Sequence, residues 1–161
     1  MRCGSSSIGT PRPATLGELP PYDADADGED PPVAVFDLRA RIVAADALLL
    51  VTPEYNGSIP GVLKNAVDWA SRPHREAALR GKTVAVAGVT TGQYGALWAQ
   101  QDLRRVLGIA GARVIDGELP VARAQNVFDE SGRLRDRVVA ERLRAHLATL
   151  VDEATPVALA A

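Results

Sequence analysis

Apolar residues follow two patterns that succeed each other along this chain. Uninterrupted apolar runs cover residues 47–51 and 84–89. Runs of this length without alternation are typical of strands that are covered on both faces in a parallel sheet. Pro53 removes a backbone donor and biases Thr52 toward an extended conformation, so the first strand should end there. We predict strands at 46–52, covered on both faces, and at 84–89.

Between and around these runs, apolar residues recur every three or four positions, as on one face of a helix. This spacing predicts helices near 33–45, 60–71, 96–107 and 133–152. Residues 112–119 predict a third strand, at the sheet edge because it contains Asp116 and Gly117. We expect a polar loop at 120–132. The alternation of helices and strands indicates a parallel sheet with helices on both faces.

Polar loops follow the first two strands. Residues 53–57 contain a carboxylate, a phenol and an amide, and residues 90–95 contain two glycines that let a ligand approach the backbone. Because ligands bind beyond the carboxyl ends of parallel strands, these loops predict a site for a flat, hydrogen-bonding ligand. Ser58 offers a hydroxyl to the free amides of the next helix. An ordinary strand–turn–helix unit would also contain an Asn-Gly turn.

Composition narrows the function classes. The chain has 161 residues, which suits one domain, and 18 basic against 20 acidic side chains give a net charge of -2. This balance argues against nucleic acid and membrane surfaces as partners. Cys3 is the only cysteine, so an internal disulfide is excluded and no metal site is expected. This cysteine usage fits the cytoplasm best, and with no apolar stretch long enough to span a membrane we expect a soluble protein.

The ends of the chain differ from its centre. Residues 1–32 are rich in Pro, Gly, Ser and Asp and predict an irregular segment. Its acidic stretch at 23–30 favours a solvated linker over a calcium loop, which would need a different glycine position. Residues 33–154 form the predicted domain, and 155–161 a frayed tail.

No catalytic or binding role is predicted for the histidine and tryptophan side chains, which lie outside the two loops. We expect His74 and His146 to be solvated surface residues. Trp69 and Trp98 are expected to be packing residues. Lys64 with Asp68 is expected to be an (i, i+4) ion pair with a structural role.

One long stretch of the chain resembles a known family. Pro53-Glu54-Tyr55-Asn56, residues 58–66 and Asp68-Trp69 are similar to the NADPH-dependent FMN reductase family, which includes quinone and chromate reductases. The resemblance implies a flavodoxin-like three-layer α/β/α domain with a parallel sheet. It also implies FMN as cofactor, NADPH or NADH as electron donor, and a quinone, flavin or similar small molecule as acceptor.

The resemblance also assigns the loops. It implies that the first loop lies along one side of the isoalloxazine and that the second loop approaches its pyrimidine edge. The Glu54 side chain can equally point to solvent. It assigns proton transfer to no residue, consistent with cofactor chemistry. Family members form dimers, so a homodimer or homotetramer is expected, with 60–71 and 120–132 at the contact. The cofactor-binding residues are Pro53, Glu54, Tyr55, Asn56, Gly57, Thr91, Gly92, Gln93, Tyr94 and Gly95.

The start of the chain departs from this family pattern. A first strand and a phosphate-binding loop should precede Leu16, but only about fifteen residues are present where a βαβ unit takes roughly 30 or more. We therefore expect an N-terminally truncated domain with about three clear strands. Residues 4–10 could mimic a phosphate loop through their amides and hydroxyls, but no strand precedes them, so an ordinary unstructured start rich in Ser and Gly is favoured. The alternative function is a non-catalytic remnant or interaction subunit with weak or no FMN binding.

Overall fold

The computed structural model describes residues 12–154, which form five helices and four strands. Four of the five helices and the first two strands lie where the apolar spacing predicts them, with shifted ends. In chain order the elements are α1 Val33–Ala44, β1 Ala47–Thr52, α2 Gly61–Ala70, β2 Thr83–Val89, α3 Leu97–Ile109, β3 Arg113–Val114, β4 Leu119–Val121, α4 Ala124–Val127 and α5 Arg137–Glu153.

The sheet is parallel and β2 is its central strand. β1 pairs with one edge of β2, from Ala47 opposite Thr83 to Thr52 opposite Gly88. β3 and β4 pair with the other edge. Since β1 and β2 run in the same direction and in register, the loops that follow them leave the sheet at the same end.

The predicted strand 112–119 is wrong as a single element. β3 and β4 are separate, because the chain leaves the sheet between them and turns at Gly117, whose φ is +89°. The gap lies opposite the middle of β2, and His146 of α5 hydrogen-bonds the Val86 carbonyl there through Nε2, at 3.1 Å. The histidine is therefore half-buried and bonded, contrary to the predicted solvated side chain. His74 is exposed, as predicted.

Two layers of helices cover the sheet. Val84 and Val86 of β2 lie in a core with α1, α2 and α3, whereas Ala85 and Ala87 lie in two smaller clusters with α4 and α5. The flavodoxin-like three-layer prediction is confirmed by this architecture.

Coverage of β1 differs from the prediction. Leu49 and Val51 of β1 are 39% and 54% exposed, so the strand is not covered on both faces. Leu49 pairs with Ala85 and Val51 with Ala87, which places them on the face of α5. That helix packs over β2 and β4 and leaves this part of β1 uncovered within the described chain.

Residues 12–32 contain no helix or strand but are docked onto α2. The Tyr22 ring meets the Trp69 ring edge-on at 4.9 Å, and the Trp69 indole donates to the Pro20 carbonyl at 2.8 Å. Asp27 pairs with Arg39 at 2.7 Å and its side chain is only 7% exposed. The predicted solvated linker is therefore wrong at Asp27.

The region before α5 also differs in detail. Residues 120–132, predicted as a loop, include the end of β4 and the short helix α4. α5 begins at Arg137. The preceding residue, Asp136, caps the helix by accepting a hydrogen bond from the Val139 amide at 3.0 Å. The predicted frayed tail from residue 155 lies outside the described residues. None of the described helices is long and apolar enough to cross a membrane.

Candidate functional site

The first loop is a tight hairpin turn. Tyr55 and Ser58 exchange two main-chain hydrogen bonds, of 3.0 and 3.1 Å, around Asn56 and Gly57. Both central residues have positive φ, 53° and 75°, as a type I′ turn requires. Asn-Gly is the dipeptide that adopts this turn most readily. Tyr55, Asn56 and Gly57 are exposed at its tip, and Pro53 is exposed at its base.

The second loop is anchored at both ends. The Thr90 amide donates to the Val121 carbonyl at 3.0 Å, and the Gly92 carbonyl accepts from the Arg123 amide at 3.0 Å. Gly95 is buried at the far end, with a φ of +62°. A Cβ there would meet Pro120 at 2.6 Å, so only glycine fits. Thr91, Gly92, Gln93 and Tyr94 remain exposed between these anchors.

Gln100 holds the second loop from below, a role that the sequence analysis missed. Its buried amide nitrogen donates to the carbonyls of Gly95 and Ala96, at 3.1 and 3.3 Å. Its oxygen accepts from the Leu119 amide at 2.9 Å. One side chain thus joins the loop, α3 and β4. The signal was present, since Gln100 is a polar residue on the apolar face of α3 that includes Leu103 and Leu107.

Two side-chain hydrogen bonds join the first loop to α3. The Glu54 carboxylate accepts from the Ala99 amide at 3.1 Å, and the Ser58 hydroxyl donates to the Asp102 carboxylate at 2.5 Å. The predicted capping of α2 by Ser58 is therefore wrong: α2 follows Pro60 and has no side-chain cap. The Ser58 hydroxyl, followed by Arg105, holds the pKa of Asp102 below its ordinary value.

Exposed aromatic rings flank these loops. The Tyr94 and Trp98 rings lie 5.0 Å apart, tilted by 53°, and are 54% and 49% exposed. Tyr55 on the first loop is 63% exposed. Trp69 is fully buried, as the packing prediction requires, but that prediction is wrong for Trp98.

A groove of about 320 Å³ lies elsewhere, between the N-terminal segment and the start of α2. None of the predicted cofactor-binding residues lines it. Its walls are mostly apolar and consist of Leu16, Gly17, Leu19, Pro21, Gly61, Val62 and Asn65.

Main-chain amides in the two loops fit the polar edge of a flavin. Within the described chain, the amides of Asn56, Gly57, Thr91, Gln93 and Tyr94 make no hydrogen bond. Exposed donors of this kind suit the carbonyl and nitrogen acceptors of a planar heteroaromatic ring. Residues 4–10, for which an ordinary irregular start is favoured over a phosphate loop, lie outside the described residues.

Comparison with known proteins identifies relatives along most of the chain. The NADPH-dependent FMN reductase family model matches residues 10–126. The NAD(P)H-dependent FMN reductase of Pseudomonas aeruginosa is 42% identical over 138 residues, which are 85% of this chain and 74% of that protein. The 2-hydroxy-1,4-benzoquinone reductase of a Burkholderia species is 39% identical over 86% of this chain and 73% of that protein.

A solved structure agrees with the sequence relatives. The flavoenzyme NAD(P)H:(acceptor) oxidoreductase of Paracoccus denitrificans superposes with a TM-score of 0.75 and 37% identity, over 86% of this chain and 76% of that one. The prediction of an FMN-dependent NAD(P)H oxidoreductase is confirmed by these relatives. The chain belongs to the NADPH-dependent FMN reductase family.

Proposed function

We propose that this chain transfers two electrons from NADPH or NADH to a quinone or a similar flat acceptor, with FMN held by the loops at 53–57 and 91–95. The observation that carries the proposal is the hydrogen bond from the Ala99 amide to Glu54, because it ties the first loop to the start of α3, which directly follows the second loop. The loops present main-chain donors that have no partner in the described chain.

In the proposal, the exposed amides of Asn56, Gly57, Thr91, Gln93 and Tyr94 orient the flavin. Bound FMN would supply the redox chemistry, accepting hydride and passing on electrons. The residues of the chain bind the flavin and orient it. No general acid or nucleophile is required, in keeping with a site composed mainly of backbone groups and aromatic side chains.

The proposed acceptor is planar. Tyr94 and Trp98 expose large parts of two rings at the start of α3, and aromatic faces favour offset or tilted contact with another flat ring. The names of relatives that reduce quinones support the same acceptor class.

The proposed protein is a cytoplasmic homodimer or homotetramer. A single cysteine and a net charge of -2 support a reducing compartment and a small-molecule substrate. Light scattering at micromolar concentration should report a mass of two or four chains, and a strictly monomeric species would contradict this part of the proposal.

Flavin titration tests the function. We expect the purified chain to quench FMN fluorescence on binding and the loaded protein to oxidise NADPH or NADH when a benzoquinone is added. Protein that stays free of flavin at saturating FMN would support the alternative, a non-catalytic remnant or interaction subunit. If the chain binds FMN but oxidises neither NADPH nor NADH, the proposed flavin site stands and the proposed oxidoreductase activity is wrong.

A further inference from the structure

Helix α3 begins without a cap of its own. Its N-cap residue, Ala96, has a left-handed backbone with a φ of 58° and no side-chain oxygen. The first amides of a helix have no partner within the helix and are usually satisfied by an oxygen of the N-cap side chain, which bonds the second or third helical residue. Here the acceptor comes from another loop, since Glu54 bonds the amide of Ala99, the third residue of α3.

The same carboxylate places a negative charge at the positive end of the helix dipole. Glu54 is half-buried, so this interaction is partly shielded from solvent. One amide in the first turn of α3 is therefore satisfied by a carboxylate from another loop.

A second link lies one turn further along the same helix. The Ser58 hydroxyl at the other end of the hairpin turn donates to Asp102, three residues after Ala99. Residues three apart lie on the same helix face. Both links therefore run from the 53–58 turn to one side of α3 and fix the turn relative to the loop that precedes the helix.

We infer that Glu54 is a positioning residue for the flavin: its carboxylate holds the start of α3 against the 53–58 turn, so that the free amides of both loops face one planar ligand. The inference rests on the proposed function for its ligand. The contact between the turn and α3 does not, and it can be measured in flavin-free protein.

The first test is amide hydrogen exchange of the flavin-free chain. Glu54→Ala removes the acceptor, and we expect the Ala99 amide to exchange about fivefold faster, as for the loss of a typical helix cap. Glu54→Gln keeps a carbonyl oxygen but loses the charge, so its Ala99 amide should exchange at an intermediate rate, within about threefold of the unchanged protein. Glu141→Ala is the matched control, because Glu141 is exposed on α5, which covers the other face of the sheet from α3. Unchanged exchange in Glu54→Ala would overturn the inference.

The second test is FMN affinity, read from fluorescence quenching in the same variants. We expect Kd to rise roughly tenfold or more in Glu54→Ala and to stay within about threefold in Glu54→Gln. An equal loss of affinity in both variants, with Ala99 exchange in Glu54→Gln close to that of the unchanged protein, would overturn the inference, because the lost charge would then act on the ligand directly and not through α3. So would an unchanged Kd in Glu54→Ala. If the unchanged chain binds no FMN while Ala99 exchange responds as expected, the proposed function fails and the contact with α3 stands.

Discussion

At the scale of single residues, Asn56 and Gly57 determine the shape of the first loop. Positive φ at both positions lets Tyr55 and Ser58 pair, and this pairing exposes the amides at the tip. The Asn-Gly dipeptide made this turn predictable from the sequence, because few other residues adopt the left-handed region without strain. The bonds from Glu54 and Ser58 to α3 were not predictable, since their partners lie 45 and 44 residues away.

Gly57→Ala tests the turn. No atom lies within 4 Å of the added Cβ, so the cost comes from the backbone at a φ of +75°. We expect a loss of about 1 to 2 kcal/mol in the free energy of unfolding, measured by urea denaturation. Gly61→Ala is the control: its Cβ also meets open space, its φ is not positive, and it begins α2, so it should be neutral or slightly stabilising. Equal effects of the two substitutions would contradict the turn assignment.

His146 gives the fold a pH dependence. Burial lowers its pKa from the ordinary value of 6.5, Arg104 acts in the same direction, and the bond to the Val86 carbonyl opposes them. The folded state therefore favours the neutral ring. Its contribution to stability is present above about pH 6.5, and it is lost as pH falls through the lowered pKa.

Replacement by glutamine removes this titration. In thermal unfolding between about pH 7 and 5, His146→Gln should lose stability less steeply than the unchanged protein. His74→Gln, at an exposed histidine, should leave the slope as it is. A slope that is unchanged in His146→Gln would show that other groups control the pH dependence.

At the scale of elements, the second loop depends on close contact between β2, α3 and β4. Gly88 lets the Gln100 side chain and the turn at Gly95 lie directly against the strand: a Cβ on Gly88 would meet Gln100 Nε2 and the Gly95 carbonyl oxygen, each at 2.5 Å. Since one of these atoms belongs to the backbone, the clash cannot be relieved by rotating a side chain alone.

Gly88→Ala should therefore destabilise the protein by about 1 to 3 kcal/mol, as for an overpacked core, and should weaken FMN binding by displacing the 90–95 loop. Denaturant unfolding and flavin titration measure the two effects. Gly92→Ala is the comparison, because its Cβ would meet nothing closer than Thr90 Oγ1 at 3.6 Å. We expect it to change stability by less than about 0.5 kcal/mol. If Gly88→Ala were as stable as the unchanged protein, the close contact between β2 and the second loop would be contradicted.

Element positions followed from periodicity where the packing is regular. The apolar spacing predicted four helices and two strands, but it failed between 112 and 136. There, side-chain bonds such as those from the amides of Ser131 and Arg133 to Asp129 form local turns that carry no apolar period. The exposed face of β1 was also missed, since a continuous apolar run specifies burial and cannot specify which helices cover it.

At the scale of the whole molecule, Arg39 connects three parts of the described chain. From α1 it donates to the Trp69 carbonyl near the end of α2, at 3.0 and 2.8 Å, and it pairs with Asp27 in the N-terminal segment. Composition indicated a solvated linker there because Asp and Gly are frequent in such segments. The residues that bury this segment lie far away in the sequence, so the local sequence pattern could not predict the contact.

Arg39→Ala should destabilise the chain strongly. The substitution leaves the Asp27 carboxylate buried without a partner and removes a donor from the last turn of α2, a combination that costs about 2 to 4 kcal/mol. Arg41→Ala is the matched control on the same helix, because Arg41 is exposed and makes only a 3.4 Å contact with the Pro13 carbonyl. Denaturant unfolding should separate the two variants clearly, and proteolysis near residues 20–30 should accelerate in Arg39→Ala alone. Equal stability of both variants would mean that the N-terminal segment is not held by this ion pair in solution.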